Sequence, residues 1–398
     1  MLTRVIKVWS ISKNKFIMKD NRRDFIKKSS SIVAGISLTG VSSCIKTGNK
    51  NSKNPRAVEN RKIVEWPIRE NPKTPKLCMN ISVNANEDQM RKIKQMGSDY
   101  IVMGGLSIPW KEENLHYIID RFKQEGLAVI CMNIGRIPNT IYGTDERDTE
   151  INKIQESLFA ASAVGLPVVE YNFLVDRLVE SYYYKTGRGG VELKASNYSP
   201  VKDLPAKPEI GNYTAEQLWD NLTYFLKAVI PVAEKAGVRM ALHPNDPPVP
   251  ISHGSAQITS TFKDWKRVIE LVDSPSNGIT FDCGIACEMG EDPLEILRYF
   301  GSRDRINHVH YRNVIVHKPS IEYTEVFMDE GQINMFEVMK ELTRLEYKYG
   351  LYPEHPIILD YDKEHPGYEE NKGYIRGYTG QVYNFSFAKA MKLAVLSM

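Results

Sequence analysis

The chain lacks any run of 18 or more apolar residues, which argues against a transmembrane helix. Its five cysteines, Cys44, Cys78, Cys131, Cys283 and Cys287, are odd in number and irregular in spacing, so they form no disulfide framework. Cys283 and Cys287 stand without a second nearby pair, which is a weak signal for structural zinc. A strong charge imbalance is also missing. The net charge is +3, with the basic excess concentrated in the first 76 residues, so there is no electrostatic case for nucleic acid. No glycine-rich phosphate loop follows the first strand, which makes a doubly wound nucleotide-binding sheet the lesser alternative. No internal repeat is evident. What remains is a chain of ordinary globular composition, 398 residues long. One α/β barrel with insertions can absorb that length.

The N-terminus has the order of an export signal. Asn21-Arg22-Arg23-Asp24-Phe25-Ile26-Lys27-Lys28 is a basic block, and the mildly apolar stretch from Ser31 to Gly40 follows it. The paired arginines resemble a twin-arginine signal, and Val41-Ser42-Ser43-Cys44 resembles a lipobox. Met18 is an alternative start. These features predict a signal segment over 1–44, a polar linker over 45–75 and an exported protein, either periplasmic or anchored in the membrane only through a lipid at Cys44.

From residue 76 apolar runs alternate with helical patterns. Strands are expected at Leu77–Val83, Tyr100–Met103, Ala128–Asn133, Leu166–Asn172, Val238–His243, Ile279–Asp282, Ile306–His310 and Ile357–Asp360. Helices are expected at 87–96, 111–125, 147–163, 215–236, 262–273, 292–300, 334–346 and 383–397. Eight strands and eight helices in strict alternation predict an α/β fold, a (β/α)8 TIM barrel over 76–398. Two insertions, 174–213 and 244–261, follow strand ends and therefore lie at the mouth where such barrels bind substrates.

Four consecutive strands end in a residue able to bind a metal: His243, Asp282, His310 and Asp360. Two imidazoles and two carboxylates in one barrel mouth suit a divalent cation. Strand alternation places Asp282 on the face of Thr280 and turns Cys283 away, and it places His308 one layer below His310. Glu170, Asn172, Arg312, Asn313 and Lys318 also fall near the mouth. Arg312 suits a bidentate grip on a substrate carboxylate, or a salt bridge at the rim. Tyr171, Phe173, Tyr311 and Tyr361 suit either sugar stacking or packing.

These motifs resemble the mannonate dehydratase family of xylose-isomerase-like barrels over roughly 76–395. Leu242-His243-Pro244-Asn245-Asp246-Pro247-Pro248 is similar to the family's His-Pro-Asp-Asp-Pro-Pro stretch. The segments Glu170-Tyr171-Asn172-Phe173, His310-Tyr311-Arg312-Asn313 and Pro366-Gly367-Tyr368 match further family motifs. The resemblance implies a divalent metal, Mn(2+) or Fe(2+), on His, Cys, His and Asp ligands, which fall on His243, Asp282, His310 and Asp360. An aspartate in place of the thiolate hardens the site and admits Mg(2+). The family also has a histidine directly after the fourth ligand, serving acid–base catalysis, and that place falls on Tyr361. The resemblance makes Tyr368 a proton-transfer group; by position alone Tyr361 or Glu170 takes the vacant histidine role, and Arg312, Asn172 and Asn313, by their place at the mouth, are expected on the substrate. The implied reaction removes water from a small-molecule sugar acid to give a 2-keto-3-deoxy acid. A metal-dependent isomerase or epimerase of the same barrel type stays open, as do a non-catalytic carbohydrate-binding lipoprotein and a homo-oligomer. The family enzyme is normally cytoplasmic, in tension with the export signal.

Overall fold

A computed structural model describes residues 66–365 and 377–398. The expected signal segment, most of the expected linker and Tyr368 lie outside the described residues. In chain order the strands are β1 (Lys76–Asn80), β2 (Tyr100–Gly104), β3 (Ala128–Asn133), β4 (Val168–Asn172), β5 (Tyr182–Thr186), β6 (Glu192–Asn197) and β7 (Arg239–His243). They continue with β8 (Ile251–Ser252), β9 (Ser255–Ala256), β10 (Asn277–Asp282), β11 (Ile306–His310), β12 (Asn313–Lys318), β13 (Glu322–Val326) and β14 (Gly350–Tyr352). Eight of them close a parallel barrel in the order β1-β14-β11-β10-β7-β4-β3-β2. This is the TIM barrel that the alternation of elements implied.

Local chemistry explains the sharpness of the helix limits. Helix Glu87–Met96 starts in a capping box of Asn86 and Gln89 and stops at Gly97, whose φ of 91° is left-handed. Helix Ala215–Ala236 repeats the device with Thr214, Gln217 and Gly237. Cys78, Val102, Cys131, Val168 and Ala241, each from a different one of five adjacent strands, form a small apolar cluster that fills the barrel.

The eighth barrel strand corrects the sequence reading. Ile357–Asp360 is not a strand. The barrel closes instead through β14, which pairs with β1 at Leu77↔Leu351 and with β11 at His310↔Tyr352. Pro353 and Pro356 each lack a backbone donor, which fits a strand that stops after Tyr352. The apolar run beyond them packs elsewhere, with Ile357 buried among Val191, Leu193, Val326 and Phe327.

The insertion after β4 and the segment after β11 are not loops alone. They build a second, antiparallel sheet in the order β12-β13-β6-β5. Both segments leave C-terminal ends of barrel strands, so this sheet stands at the mouth.

Candidate metal centre

Register sets the layer in which the candidate ligands lie. Asp282 is the direct partner of His310, and His310 of Tyr352. Asn172 is the direct partner of His243. His243, Asp282, His310 and Glu354 therefore meet at one end of the barrel, with one possible ligand atom from each lying within 4.8 Å of the others. The first three are strand-end residues. Glu354 follows β14 by two residues and takes the place expected for Asp360.

Asp360 lies exposed at the start of the short helix Asp360–Glu364, and Tyr361 beside it is 68% exposed. Neither reaches the cluster, because the chain has already left the barrel at Pro353. With Glu354 as the fourth member of the cluster, the residue directly after it is His355. A histidine thus follows the fourth cluster residue, where Tyr361 follows Asp360. The pair Glu354-His355 after a Leu-Tyr-Pro was a usable sequence signal, hidden by the brevity of β14.

Each side chain is braced. His243 Nδ1 lies 2.8 Å from the Pro244 carbonyl, an acceptor only, so Nδ1 carries the proton and Nε2 keeps its lone pair. Asp282 does two jobs. Its Oδ1 accepts from the Ile285 amide at 2.8 Å and caps the next helix, while its Oδ2 accepts from Arg312 Nε at 3.0 Å. Burial opposes charge on Asp282, but Arg312 and then His310 outweigh it and hold the carboxyl well below its usual range. His310 Nδ1 faces Glu354 Oε1 at 3.0 Å and Asp282 Oδ2 at 3.8 Å, and its Nε2 faces Glu170 Oε1 at 3.5 Å. Burial works against a charged His310, yet Glu354 and Glu170 prevail and raise its pKa well above normal.

Glu170 sits within the barrel, accepting from Thr280 Oγ1 at 2.7 Å and Asn133 Nδ2 at 3.2 Å. Burial alone would raise its pKa; His310, His308 and His243 bring it down to about 2. His308, one layer deeper as alternation required, is pushed by burial down to about 3 and stays neutral. Cys283 turns away from the cluster. Its Sγ lies 3.3 Å from the His310 carbonyl and 3.2 Å from that of Arg312, and burial pushes the thiol far up.

Two further expectations change. Arg312 does not reach out to a substrate. It is 1% exposed, with Nε on Asp282 and Nη1 on Glu288 at 2.6 Å. Gly284 makes this possible, because a Cβ there would lie 2.5 Å from the guanidinium carbon. Asn313 is an internal brace: its Nδ2 donates to the Met328 and Ile333 carbonyls, and its Oδ1 accepts from Val314 and Ile333. Both point into the barrel wall because the chain turns straight from β11 into β12. Asn172, by contrast, lines a cleft of about 310 Å³ with Asn133, Arg136, Asp176 and Arg177, and its Oδ1 is buried without a hydrogen-bond partner.

Residues that sequence reasoning passed over complete the mouth. His355 Nδ1 lies 2.9 Å from Glu325 Oε2, and Lys194 Nζ lies 3.0 Å from Glu325 Oε1. Asp246 accepts from Tyr182 at 3.3 Å and Tyr323 at 3.1 Å. Lys194, Tyr182, Tyr323 and Glu325 come from the second sheet. The tyrosine run ahead of Gly187-Arg188-Gly189-Gly190 was the signal for its hairpin.

The profile of D-mannonate dehydratase (UxuA) matches residues 208–389. A curated mannonate dehydratase of Streptococcus suis is 32% identical over 286 residues, spanning 65% of this chain and 78% of the relative. The chain belongs to the mannonate dehydratase family. A relative from Enterococcus faecalis is 31% identical over 296 residues, with 81% of it covered. The crystal structure of mannonate dehydratase from Streptococcus suis serotype 2 superposes with a TM-score of 0.72 at 28% identity, over 81% of this chain and 95% of that one. An Escherichia coli 3-keto-D-glucoside 4-epimerase shares only the xylose-isomerase-like fold, at 16% identity and a TM-score of 0.51 over 80% of this chain and all of that one. Membership makes the protein a mannonate dehydratase-like enzyme and sets aside the non-catalytic lipoprotein. It also corrects the expected export. The relatives are mannonate dehydratases, a family whose members typically work in the cytoplasm. Cys44 and the basic segment before it lie outside the described residues.

Proposed function

We propose that the protein removes water from a sugar acid of the mannonate type, giving a 2-keto-3-deoxy acid, with a divalent cation held by His243, Asp282, His310 and Glu354. One observation carries this reading. His243, Asp282, His310 and Glu354 each bring one possible ligand atom within 4.8 Å of the others at the barrel mouth. Imidazole and carboxylate donors gathered at one buried barrel mouth suit a shared divalent cation. Two nitrogens and two carboxylates, with no thiolate, favour Mn(2+) or Fe(2+) and admit Mg(2+).

A bound cation supplies Lewis-acid stabilisation of the charge that develops when the carbon beside the carboxylate loses its proton. The chain's own residues do the rest. Arg312 and the Ile285 amide fix Asp282, and Pro244 fixes the His243 tautomer. Glu325 orients His355, so its Nε2 is the atom available for proton transfer. The C2–H bond breaks, the proton goes to a base, and the C3 hydroxyl leaves as water with a proton from an acid. The resulting enol tautomerises to the ketone. His355 serves one of these proton transfers and Tyr368 the other. Asn172 Oδ1 accepts from a substrate hydroxyl.

The test is proton NMR in D2O of the Mn(2+)-loaded protein with a panel of aldonic acids, uronic acids and neutral sugars. The expected result is the methylene signal of a 2-keto-3-deoxy acid, absent in Asp282→Ala. A new sugar isomer without elimination would replace this reading with an isomerase or epimerase.

A further inference from the structure

The substrate's charged end needs a partner, and Arg312 is sequestered in the wall. We infer that Arg177 grips the substrate carboxylate, in the cleft of about 310 Å³ at the C-terminal ends of β3 and β4. This rests on the sugar-acid reading above and goes on to assign its specificity residue.

The cleft lies beside the candidate metal layer, because its wall residue Asn172 is the register partner of His243. Apart from Asn172, whose Oδ1 is unpaired, its other polar side chains are engaged. Arg136 donates to the Val175 carbonyl at 3.0 Å and to the Tyr142 hydroxyl at 3.3 Å. Asp176 forms an ion pair with Lys207. Asn133 donates to Glu170.

Arg177 differs from all of these. Its guanidinium makes no hydrogen bond among the described residues, and its nearest carboxylate oxygen, Asp246 Oδ2, is 3.9 Å away. Its side chain is 39% exposed. Asp246 is itself held at Oδ1 by Tyr182 and Tyr323, so it steadies the guanidinium at long range without using its donors. A planar fork of five N–H donors, held in place and unspent, matches the two oxygens of a carboxylate. A carboxylate seated there leaves the substrate's hydroxyls toward Asn172 and the adjacent carbons toward the four-residue cluster. The cleft is of the size usual for small-ligand sites.

The experiment compares wild type, Arg177→Met and Arg177→Lys with sodium D-mannonate, and with mannitol as its uncharged counterpart. Steady-state kinetics of the Mn(2+)-loaded protein should show KM for mannonate raised roughly 10- to 100-fold in Arg177→Met, the usual scale for a lost charge-assisted hydrogen bond. The effect on kcat should be smaller, and Arg177→Lys should recover part of the loss. Calorimetric titration of metal-stripped protein gives a second readout. Wild type should prefer mannonate over mannitol, and Arg177→Met should erase that preference while mannitol binding stays unchanged. An unchanged KM, or equal losses for mannonate and mannitol, overturns the inference. If wild type binds mannonate without turning it over, the proposed reaction fails, and the calorimetric comparison alone decides the role of Arg177.

Discussion

Replacing Arg312 by methionine separates its two readings, a brace inside the wall and a substrate grip. The guanidinium lies 3.0 Å from Asp282 and 2.6 Å from Glu288, and all three residues are buried. At an effective dielectric of about 20, the Asp282 contact is worth roughly 5–6 kcal/mol of gross attraction, while Glu288, whose carboxyl burial raises to about 8, acts near neutral pH mainly as a hydrogen-bond partner. Most of that is offset by the cost of taking the charges out of water. Methionine keeps much of the volume but leaves Asp282 without its cation and Glu288 without its donor. Breaking one partner of a buried pair costs about 3–5 kcal/mol. For a domain of this size, at about 2–4 °C per kcal/mol or somewhat less, Tm should fall by roughly 5–15 °C. Thermal unfolding of the metal-stripped protein, followed by circular dichroism, measures it. Mn(2+) should restore part of the loss, since a cation beside Asp282 compensates the same carboxylate. An Arg312→Met protein with wild-type Tm and only a raised KM would refute the brace.

Glu354→Ala should weaken Mn(2+) binding by more than about 100-fold, beyond the roughly 10–100-fold typical of residues behind the ligands, whereas Asp360→Ala should leave it unchanged; calorimetric metal titration compares them. Burial, the largest influence on Glu288, raises its carboxyl to about 8 in spite of Arg312. A carboxyl raised on folding contributes stability that is full below its unfolded pKa and is lost as pH rises through about 8. Glu288→Gln should therefore flatten the decline in stability between about pH 5 and 8, measured by urea unfolding at each pH. An alkylating thiol reagent should leave turnover intact, because burial pushes the Cys283 thiol far up and turns it from the cluster; rapid inactivation, tracked by mass spectrometry to Cys283, would contradict its placement.

The local patterns were legible because they are local. Apolar runs alternating with helical patterns placed seven of the eight barrel strands and most helix ends. Side-chain alternation then put Asp282 toward the mouth and Cys283 away from it. β14 was missed because three residues carry no period, while Ile357-Ile358-Leu359 offered a better-looking run. The second sheet was missed because it joins segments more than 100 residues apart, such as Ala195 and Thr324. Its two hairpins, however, carried turn signals.

Neighbours along the chain were enough to place the barrel, three strand-end members of the four-residue cluster and the family motifs. Tertiary structure decided the remainder. Glu354 replaced Asp360 because barrel closure, not hydrophobicity, chooses the last strand. Arg312 became a brace because Gly284 leaves room for it against Asp282 and Glu288. Arg177 was left with unspent donors because Asp246 is occupied by tyrosines from two strands of the second sheet. A side chain's function at the mouth is set by which partners the fold leaves within reach, and those partners are distant in sequence.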